Sequence, residues 1–175
     1  MDKQLLTVIT PVYNEEEVIE RFYDQTKTVL ASLKNKYRTH ILFVVDRCTD
    51  HTLEVLRRLA AGDVDVQVLS LSTRFGHQMS LLAGIDASED ADIIVMMDSD
   101  LQHPPSLIPE LVRQHELGND IVFTVRKDTA DASLLRKTFG RLFLWFTQCP
   151  LRYQDQSKCR RLSFNFEKSS EISSY

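Results

Sequence analysis

Two carboxylates two residues apart, Asp98 and Asp100, directly follow the uncharged apolar run of residues 93–97. Side chains alternate between the two sides of an extended backbone, so this spacing would point both carboxylates the same way. The apolar run is typical of a buried parallel strand, and open α/β sheets bind ligands at the carboxyl ends of such strands. Carboxylate oxygens there suit Mg²⁺ or Mn²⁺ that holds a diphosphate. Two aspartates at this spacing also occur at the start of a turn, which here would precede Pro104. The rest of the sequence must therefore decide between a turn and a metal site.

The apolar pattern predicts that short strands alternate with helices along the chain. Apolar or alternating runs predict strands over 5–10, 41–45, 64–71, 91–97 and 121–125, and helical spacing of apolar residues predicts helices between them. Strand and helix alternate at intervals of roughly 25 residues, which indicates right-handed βαβ units. The sequence therefore predicts an α/β fold with a mostly parallel central sheet.

Several residues mark where the predicted helices begin and which face they bury. Asn14, with Glu17 three residues on, resembles a capping box for the first helix. Thr49 or Asp50 can cap the second helix, and Pro105 suits the start of the fourth. In the third helix, the apolar spacing predicts a buried stripe, formed by Leu81, Leu82 and Ile85.

Polar residues cluster after successive predicted strands, in segments 11–15, 46–50, 73–78, 98–102 and 126–127. In a parallel sheet these segments lie along one edge, so they would surround one crevice. Carboxylates can hold a cation there, Arg126 and Lys127 can neutralise phosphate, and Tyr13 can pack against a base or ribose. This content fits a nucleotide diphosphate held through a metal. The sequence contains neither GxGxxG nor GxxxxGK[ST], which disfavours dinucleotide and P-loop phosphate binding.

The composition of the 175 residues, 43% hydrophobic and 26% charged, is that of an ordinary globular domain. A net charge of −4 argues against a general nucleic-acid surface. Three cysteines without a CxxC pair favour a reducing compartment. Neither a secretory signal nor an apolar run of about 20 residues occurs. We therefore expect a cytoplasmic protein that can lie at the cytoplasmic face of a membrane without crossing it.

Four segments in order resemble the motifs of family-2 glycosyltransferases with the GT-A fold. They are Pro11-Val12-Tyr13-Asn14-Glu15, the segment 46–52, Arg74-Phe75-Gly76-His77-Gln78 and Asp98-Ser99-Asp100-Leu101-Gln102-His103-Pro104. The branch with the strongest resemblance is the polyprenyl-phosphate sugar transferases, such as the dolichol-phosphate mannosyltransferases and bactoprenol glucosyltransferases. The resemblance runs from about residue 6 to residue 141, and more faintly to 163. It implies the GT-A fold, with helices on both faces of the sheet, and metal-assisted inverting transfer of a sugar from a nucleotide-diphosphate sugar, UDP- or GDP-linked, to a polyprenyl phosphate.

The resemblance also implies roles for individual residues. Asp98, Asp100 and Gln102 would surround Mg²⁺ or Mn²⁺, and Asp98, Asp100 and Arg126 would act in catalysis. Arg126 matches an arginine that contacts the diphosphate, Arg136 resembles a second basic contact, and Asp46 would contact the base. The residues implied in nucleotide-sugar binding are Pro11, Tyr13, Glu15, Val44, Asp46, Arg74, Gly76, Asp98, Ser99, Asp100, Arg126 and Arg136.

The sequence departs from the family pattern at several places, one of which is Arg74, where the family often has Asn. Asp-Asp-Gly-Ser usually follows the second strand, and here Val45-Asp46-Arg47-Cys48 stands instead, without one carboxylate and the permissive glycine. Arg47 could add a phosphate contact or crowd the base site. The chain also stops near where the acceptor-binding part would continue. We expect a truncated form with a nucleotide-sugar-binding core over 1–129 and a partial acceptor-side segment over 130–175, which carries an amphipathic aromatic helix and a polar tail.

Three alternatives to this function stay open. A catalytic base is not evident in the sequence, which favours a lipid-phosphate acceptor, because a phosphate monoester with a second pKa of about 6 is already anionic near neutral pH. The first alternative, a hydroxyl acceptor as in polysaccharide or glycoprotein synthesis, would need a general base. The second is a truncated inactive nucleotide-binding remnant, and the third is a phosphoreceiver-like signalling domain. The sequence is also compatible with a homo-oligomer. His77, at the predicted start of the third helix, is either a site residue or a surface residue that caps the helix.

Overall fold

The computed structural model describes residues 3–124 and the backbone of 173–174. The chain divides into two compact units, residues 1–112 and 113–175. In order, the elements are β1 (Leu5–Val12), α1 (Ile19–Leu33), β2 (Arg38–Val45), α2 (Thr52–Gly62), β3 (Val66–Ser70), α3 (His77–Asp86), β4 (Ile93–Met96), a 3₁₀ turn (Pro105–Leu107), α4 (Ile108–Glu116), β5 (Val122–Phe123) and β6 (Ser173–Ser174).

The first unit is built on a four-stranded sheet in the order β3-β2-β1-β4. Every pairing in it is parallel, with Val8 opposite Ile41 and Ile9 opposite Met96. Parallel neighbours need a crossover connection, and α1, α2 and α3 supply these connections. The prediction of an α/β fold with a parallel sheet is therefore confirmed.

Apolar side chains are buried on both faces of the sheet. On one face, Val8 and Phe43 belong to the same core cluster as Phe22 of α1 and Leu56 of α2. The rings of Phe22 and Phe43 meet edge to face with centroids 6.3 Å apart. On the other face, Ile9, Leu42 and Val44 form a second cluster, against which Leu81 of α3 packs. Full burial of one such side chain stabilises the fold by about 1.5–3 kcal/mol, so both clusters hold the sheet.

Helix α3 packs on the sheet through Leu81 and through small residues, so the predicted apolar stripe is confirmed at Leu81 and wrong at Leu82 and Ile85. Ser80 and Gly84 are buried, whereas Leu82 is 57% and Ile85 40% exposed, and Leu81 is half-buried. A Cβ atom on Gly84 would overlap Cγ2 of Ile9. The glycine therefore lets the helix approach the sheet so closely that its larger apolar side chains turn outward.

The helix starts agree only partly with the sequence signals. The predicted capping box at Asn14 is wrong, because α1 begins at Ile19 and the Oδ1 atom of Asn14 accepts the N–H of Thr49 instead. The N-cap position of α2 is occupied by His51, without a side-chain capping bond, so the predicted cap at Thr49 or Asp50 is wrong, although Asp50 accepts the N–H of Thr52. Pro105 begins the 3₁₀ turn that precedes α4, as predicted.

The second unit contains the short strand β5. It pairs antiparallel with β6, whereas the sequence pattern predicts a longer strand over 121–125. The predicted site residues Arg126, Lys127 and Arg136 and the aromatic segment 139–146 lie outside the described residues. None of the helices in the described part of the chain combines the length and apolar character that a membrane span needs.

Candidate functional site

A cavity of about 320 Å³ opens where β1 and β4 end and where the loops after β2 and β3 meet them. Its walls are formed by Pro11, Val12, Tyr13, Glu15, Asp46, Arg74, Gly76, His77, Ser80, Asp98, Ser99 and Asp100. A larger cavity of about 460 Å³ lies at the opposite, amino edge of the sheet, beside Lys34, Arg38 and His40. Open parallel sheets bind ligands at the carboxyl edge, and the smaller cavity brings together the carboxylates of Glu15, Asp98 and Asp100, so we take it as the candidate site.

Most of the residues predicted for nucleotide-sugar binding line this cavity. Exceptions within the described chain are Val44, which is fully buried in the cluster beneath α3, and the predicted metal ligand Gln102 on the turn after Asp100. His77 and Ser80 of α3 also line the cavity. The sequence leaves the role of His77 open, and Ser80 is not among the predicted site residues. The position of Ser80 three residues beyond His77, on the same side of a helix, is the signal that could have found it.

Strand β4 ends at Met96, before the two aspartates, and Asp100 lies in a bend that begins at Ser99, directly after Asp98. The Oδ1 atom of Asp100 accepts the N–H of Gln102 at 2.9 Å, and Leu101 has a left-handed φ of 59°. The two carboxylates thus border one cavity through a tight turn, and the prediction that extended backbone aligns them is wrong. Asp100 belongs both to the turn and to the cavity wall.

Negative charge accumulates at the cavity around Glu15. Burial raises the pKa of Glu15 above its ordinary value, and the charges of Asp100, Asp50 and Asp98 raise it further. Carboxylates that disfavour each other's ionisation form an environment in which a cation is stabilised. The charge balance of the cavity therefore suits a positively charged ligand near Asp98 and Asp100.

The donor set fits a hard divalent cation that shares its coordination with a substrate. Within residues 3–124, no group of three or more His, Cys, Asp or Glu side chains forms a ready-made metal cluster. Mg²⁺ is usually held by one or two carboxylates together with substrate phosphates and water. Asp98 and Asp100 meet this requirement, so they fit Mg²⁺ or Mn²⁺ bound together with a diphosphate.

An arginine and a histidine stand on the side of the cavity formed by the β3–α3 loop. The guanidinium carbon of Arg74 lies 4.0 Å from the ring centroid of Tyr13, in cation–π contact. Nε2 of His77, the first residue of α3, lies 3.6 Å from Oδ1 of Asp98. The cavity therefore offers carboxylates for a cation and an arginine for an anion within one space.

Asp46 holds the β3–α3 loop in place at the cavity wall. It is only 4% exposed, and its two carboxylate oxygens accept the N–H groups of Phe75 and Gly76 at 2.7 and 2.8 Å. Charge-assisted bonds of this kind are about twice as strong as neutral ones. The carboxylate thereby fixes the loop that carries Arg74.

The loops after β1 and β2 are joined by side-chain hydrogen bonds. The Nδ2 atom of Asn14 donates to Oγ1 of Thr49 at 3.0 Å, and the backbone N–H of Asn14 donates to Sγ of Cys48. Burial raises the pKa of the Cys48 thiol, which therefore stays protonated and serves as a packed acceptor. This network fixes the wall that carries Tyr13 and Glu15.

Each loop that follows one of the four parallel strands contains a residue with positive φ. These residues are Asn14 (53°), Arg47 (35°), Gly76 (88°) and Leu101 (59°). Arg47 occupies the place of the permissive glycine in the family pattern, and its side chain is exposed. Residues held in sparsely populated conformations cluster at functional sites, and here all four stand in loops that form the candidate site.

Residues 7–169 match the profile of the family described as Glycosyl transferase family 2, and the chain therefore belongs to this family. It is 36% identical over 139 residues to the undecaprenyl-phosphate 4-deoxy-4-formamido-L-arabinose transferase of Yersinia pestis, covering 78% of this chain and 41% of that protein. It is 37% identical over 134 residues to the prophage bactoprenol glucosyl transferase homolog of Escherichia coli, covering 76% and 43%. The chain thus spans about two fifths of the length of these relatives.

The structure resembles a mannosyltransferase, PcManGT from Pyrobaculum calidifontis, solved in complex with GDP-Man and Mn²⁺. The TM-score is 0.61 at 22% sequence identity, covering 74% of this chain and 37% of that one. This likeness concerns the fold, which is the GT-A fold that the sequence resemblance implied. The predicted fold class and family are therefore confirmed.

Proposed function

We propose that this chain carries the donor site of a glycosyltransferase that moves a sugar from a UDP- or GDP-linked donor to a polyprenyl phosphate. The observation that carries this proposal is the cavity in which Asp98 and Asp100 lie together with Arg74 and Tyr13. The names of the undecaprenyl-phosphate and bactoprenol relatives support the acceptor class. The complex of PcManGT with GDP-Man and Mn²⁺ supports a nucleotide-sugar donor with a divalent cation.

In this proposal the cavity residues divide between the cation, the diphosphate and the nucleoside. Asp98 and Asp100 hold Mg²⁺ or Mn²⁺, with Gln102 on the same turn. Arg74 meets the diphosphate from the other wall, and Tyr13 packs against the base or ribose. Arg126 and Arg136, beyond the described residues, are proposed as further diphosphate contacts, and Pro11, Gly76 and Ser99 as backbone walls of the donor site.

When bound, the divalent cation offsets the negative charge that develops on the leaving diphosphate. Arg74 adds a positive charge from the other wall of the cavity, and its planar guanidinium suits a bidentate contact with phosphate oxygens. Such preorganised charges act most strongly in a cavity that excludes water. The residues of the chain therefore contribute to the transfer mainly by holding the leaving group.

The acceptor phosphate needs no general base, because its second pKa is about 6 and it is already ionised near neutral pH. Its oxygen forms the new bond to the anomeric carbon while the bond from that carbon to the diphosphate oxygen breaks. A single displacement of this kind inverts the anomeric configuration, as the family resemblance implies. Because a polyprenyl phosphate resides in a membrane, we place the reaction at the cytoplasmic membrane surface.

The decisive experiment is a calorimetric binding screen of UDP- and GDP-sugars with and without Mn²⁺. We expect a donor to bind in a metal-dependent manner, and Asp100→Ala to lower the affinity in Mn²⁺ by at least about tenfold, or 1.4 kcal/mol. Asp86→Ala, which removes an exposed carboxylate at the far end of α3, serves as the matched control and should change nothing. Failure to bind any nucleotide sugar, or an unaltered metal dependence in Asp100→Ala, would contradict the proposal.

Turnover assays separate this function from a hydroxyl-directed enzyme and from an inactive protein. Release of nucleoside diphosphate with undecaprenyl phosphate, and not with sugar acceptors, is the expected result. Release only with sugar acceptors would show a hydroxyl-directed enzyme. If the donor binds in a metal-dependent manner but nucleoside diphosphate is released neither with undecaprenyl phosphate nor with sugar acceptors, the chain is an inactive nucleotide-binding protein.

A further inference from the structure

Helix α3 and the loop residue Phe75 just before it present large apolar side chains to solvent. Phe75 is 51% exposed, Met79 50%, Leu82 57% and Ile85 40%. Met79, Leu82 and Ile85 follow each other at intervals of three residues, which places them along one side of the helix. We call these four residues the α3 stripe.

The α3 stripe reverses the usual arrangement of a surface helix. Such a helix normally buries its large apolar residues and presents polar ones to water. Here Ser80 and Gly84 are buried against the sheet together with part of Leu81, and Met79, Leu82 and Ile85 are exposed. Contiguous exposed apolar surface on a folded protein commonly marks a place where a ligand or partner binds.

The α3 stripe begins at the rim of the candidate site. Phe75 lies between the cavity residues Arg74 and Gly76, and Met79 lies next to the cavity residue Ser80. A helix of ten residues is about 15 Å long, so the stripe leads from the cavity along α3 for about that distance. A molecule with one end in the cavity can therefore continue over the stripe.

The charges along α3 match an amphiphile with an anionic head. Arg74 and His77 stand at the cavity end, and between His77 and Asp86 the described helix carries only uncharged side chains. An anionic head would be attracted by Arg74, whose guanidinium has enough N–H donors to meet this head as well as the donor diphosphate, and it would hydrogen-bond to His77. The uncharged middle of the helix suits a hydrocarbon chain, and it offers no cation that would attract the head groups of a lipid bilayer.

We propose that the α3 stripe binds the isoprenoid chain of the acceptor whose phosphate enters the cavity. This inference rests on the proposed function, because it takes the acceptor to be a polyprenyl phosphate. It adds to that function a binding surface, and assigns it to the apolar side chains of Phe75, Met79, Leu82 and Ile85.

The test compares the affinities for a long and a short acceptor in the same detergent. For the full chain with Met79→Gln and Leu82→Gln, we expect the affinity for undecaprenyl phosphate to fall by about tenfold or more, because two apolar contacts are lost. The affinity for a five-carbon prenyl phosphate should stay within about twofold. Val64→Gln, at a residue that is 96% exposed between α2 and β3, is the matched control and should leave both affinities unchanged.

Several results would overturn the proposal. Equal affinity of the wild-type chain for the long and short phosphates would show that only the head is bound. If the double variant binds undecaprenyl phosphate as tightly as the wild-type chain does, the α3 stripe does not bind the isoprenoid chain. That result would not contradict the proposed function. Failure of the wild-type chain to bind undecaprenyl phosphate would remove the acceptor assignment as well. A wild-type dimer that becomes a monomer in the double variant would assign the stripe to a second copy of the chain.

Discussion

Glu15 is a carboxyl group of the cavity wall whose pKa is raised in the folded protein. Its pKa is raised by burial first, and then by the charges of Asp100, Asp50 and Asp98. The folded protein therefore binds a proton at Glu15 more readily than the unfolded chain does. By linkage, this side chain lowers stability as the pH rises from about 4.5 through the raised pKa, and the loss is complete above it.

Glu15→Gln should therefore stabilise the metal-free protein near pH 7 and have little effect near pH 4. The amide removes a charge that the folded state accommodates poorly, while it keeps the size of the side chain. Thermal unfolding at the two pH values measures this difference. Glu17→Gln, at an exposed carboxylate two residues on, is the matched control. An equal gain at both pH values, or a gain in the control as well, would contradict the assigned pKa direction.

The packing of α3 depends on the absence of a side chain at Gly84. A Cβ there would overlap Cγ2 of Ile9 and lie 3.1 Å from Cγ2 of Val44. Helix and sheet are therefore closer at this crossing than a residue with a side chain allows. The outward position of Leu82 and Ile85 follows from the same close contact.

Gly84→Ala should destabilise the protein by about 1–3 kcal/mol, because overpacking a tight core displaces its neighbours. Gly62→Ala is the matched comparison, since Gly62 is the last residue of α2 and no described atom lies within 4 Å of the place that its Cβ would take. There the better helix propensity of alanine should stabilise by about 0.5–1 kcal/mol. Urea unfolding measures both values, and effects of the same sign would refute the close contact.

The sequence pattern predicted the strands well because β1 and β2 are buried on both faces and so form continuous apolar runs. It failed for α3 because periodicity assumes that the large apolar residues face the core. The contact of Gly84 with Ile9 joins residues 75 positions apart and leaves no local signal. The capping box failed for a related reason, since Asn14 bonds to Thr49 in another loop.

The sequence could predict which residues come together at the candidate site, but it could not predict how the loops that carry them are bent and hydrogen-bonded. The carboxyl ends of parallel strands must converge, so Tyr13, Asp46, Arg74 and Asp100 could be grouped from their places after apolar runs. The bend that begins directly after Asp98, and the bonds of Asp46 to the β3–α3 loop, depend on how the loops pack together. Neither feature is encoded in residue spacing.

At the scale of the first unit as a whole, an ion-pair cluster ties α1 to the loop between α2 and β3. Lys27 bonds to Asp63 and Asp65, Lys34 bonds to Asp65 at 2.8 Å, and the hydroxyl of Tyr23 donates to Asp63. Hydrogen bonds from Lys34 and Lys27 hold the pKa of Asp65 below its ordinary value of 3.8. A lowered carboxyl pKa adds stability that is present above 3.8 and is lost as the pH falls through the lowered value.

Asp65→Asn should therefore cost about 0.5–1 kcal/mol at pH 7, after allowance for solvent screening of a partly exposed pair. The cost should shrink as the pH falls below 3.8, because the wild-type carboxylate then becomes protonated. Urea unfolding at several pH values checks this, with Glu89→Gln at an exposed carboxylate as the control. A penalty that is the same at pH 7 and at pH 3 would show that the ion pairs contribute nothing.

The four positive-φ residues at the ends of β1 to β4 also bear on how this edge of the sheet could be redesigned. Each of them has a positive φ at a fixed place in its loop, and such a sparsely populated conformation costs a residue with a side chain about 1–3 kcal/mol. A loop transplanted from another parallel sheet therefore needs a glycine at the position of Gly76, where φ is 88° and ψ is 164°, and a glycine or asparagine at the positions of Asn14, Arg47 and Leu101. A transplanted loop that lacks such a residue would leave its strand in a different direction, and its contacts with the neighbouring loops would be lost.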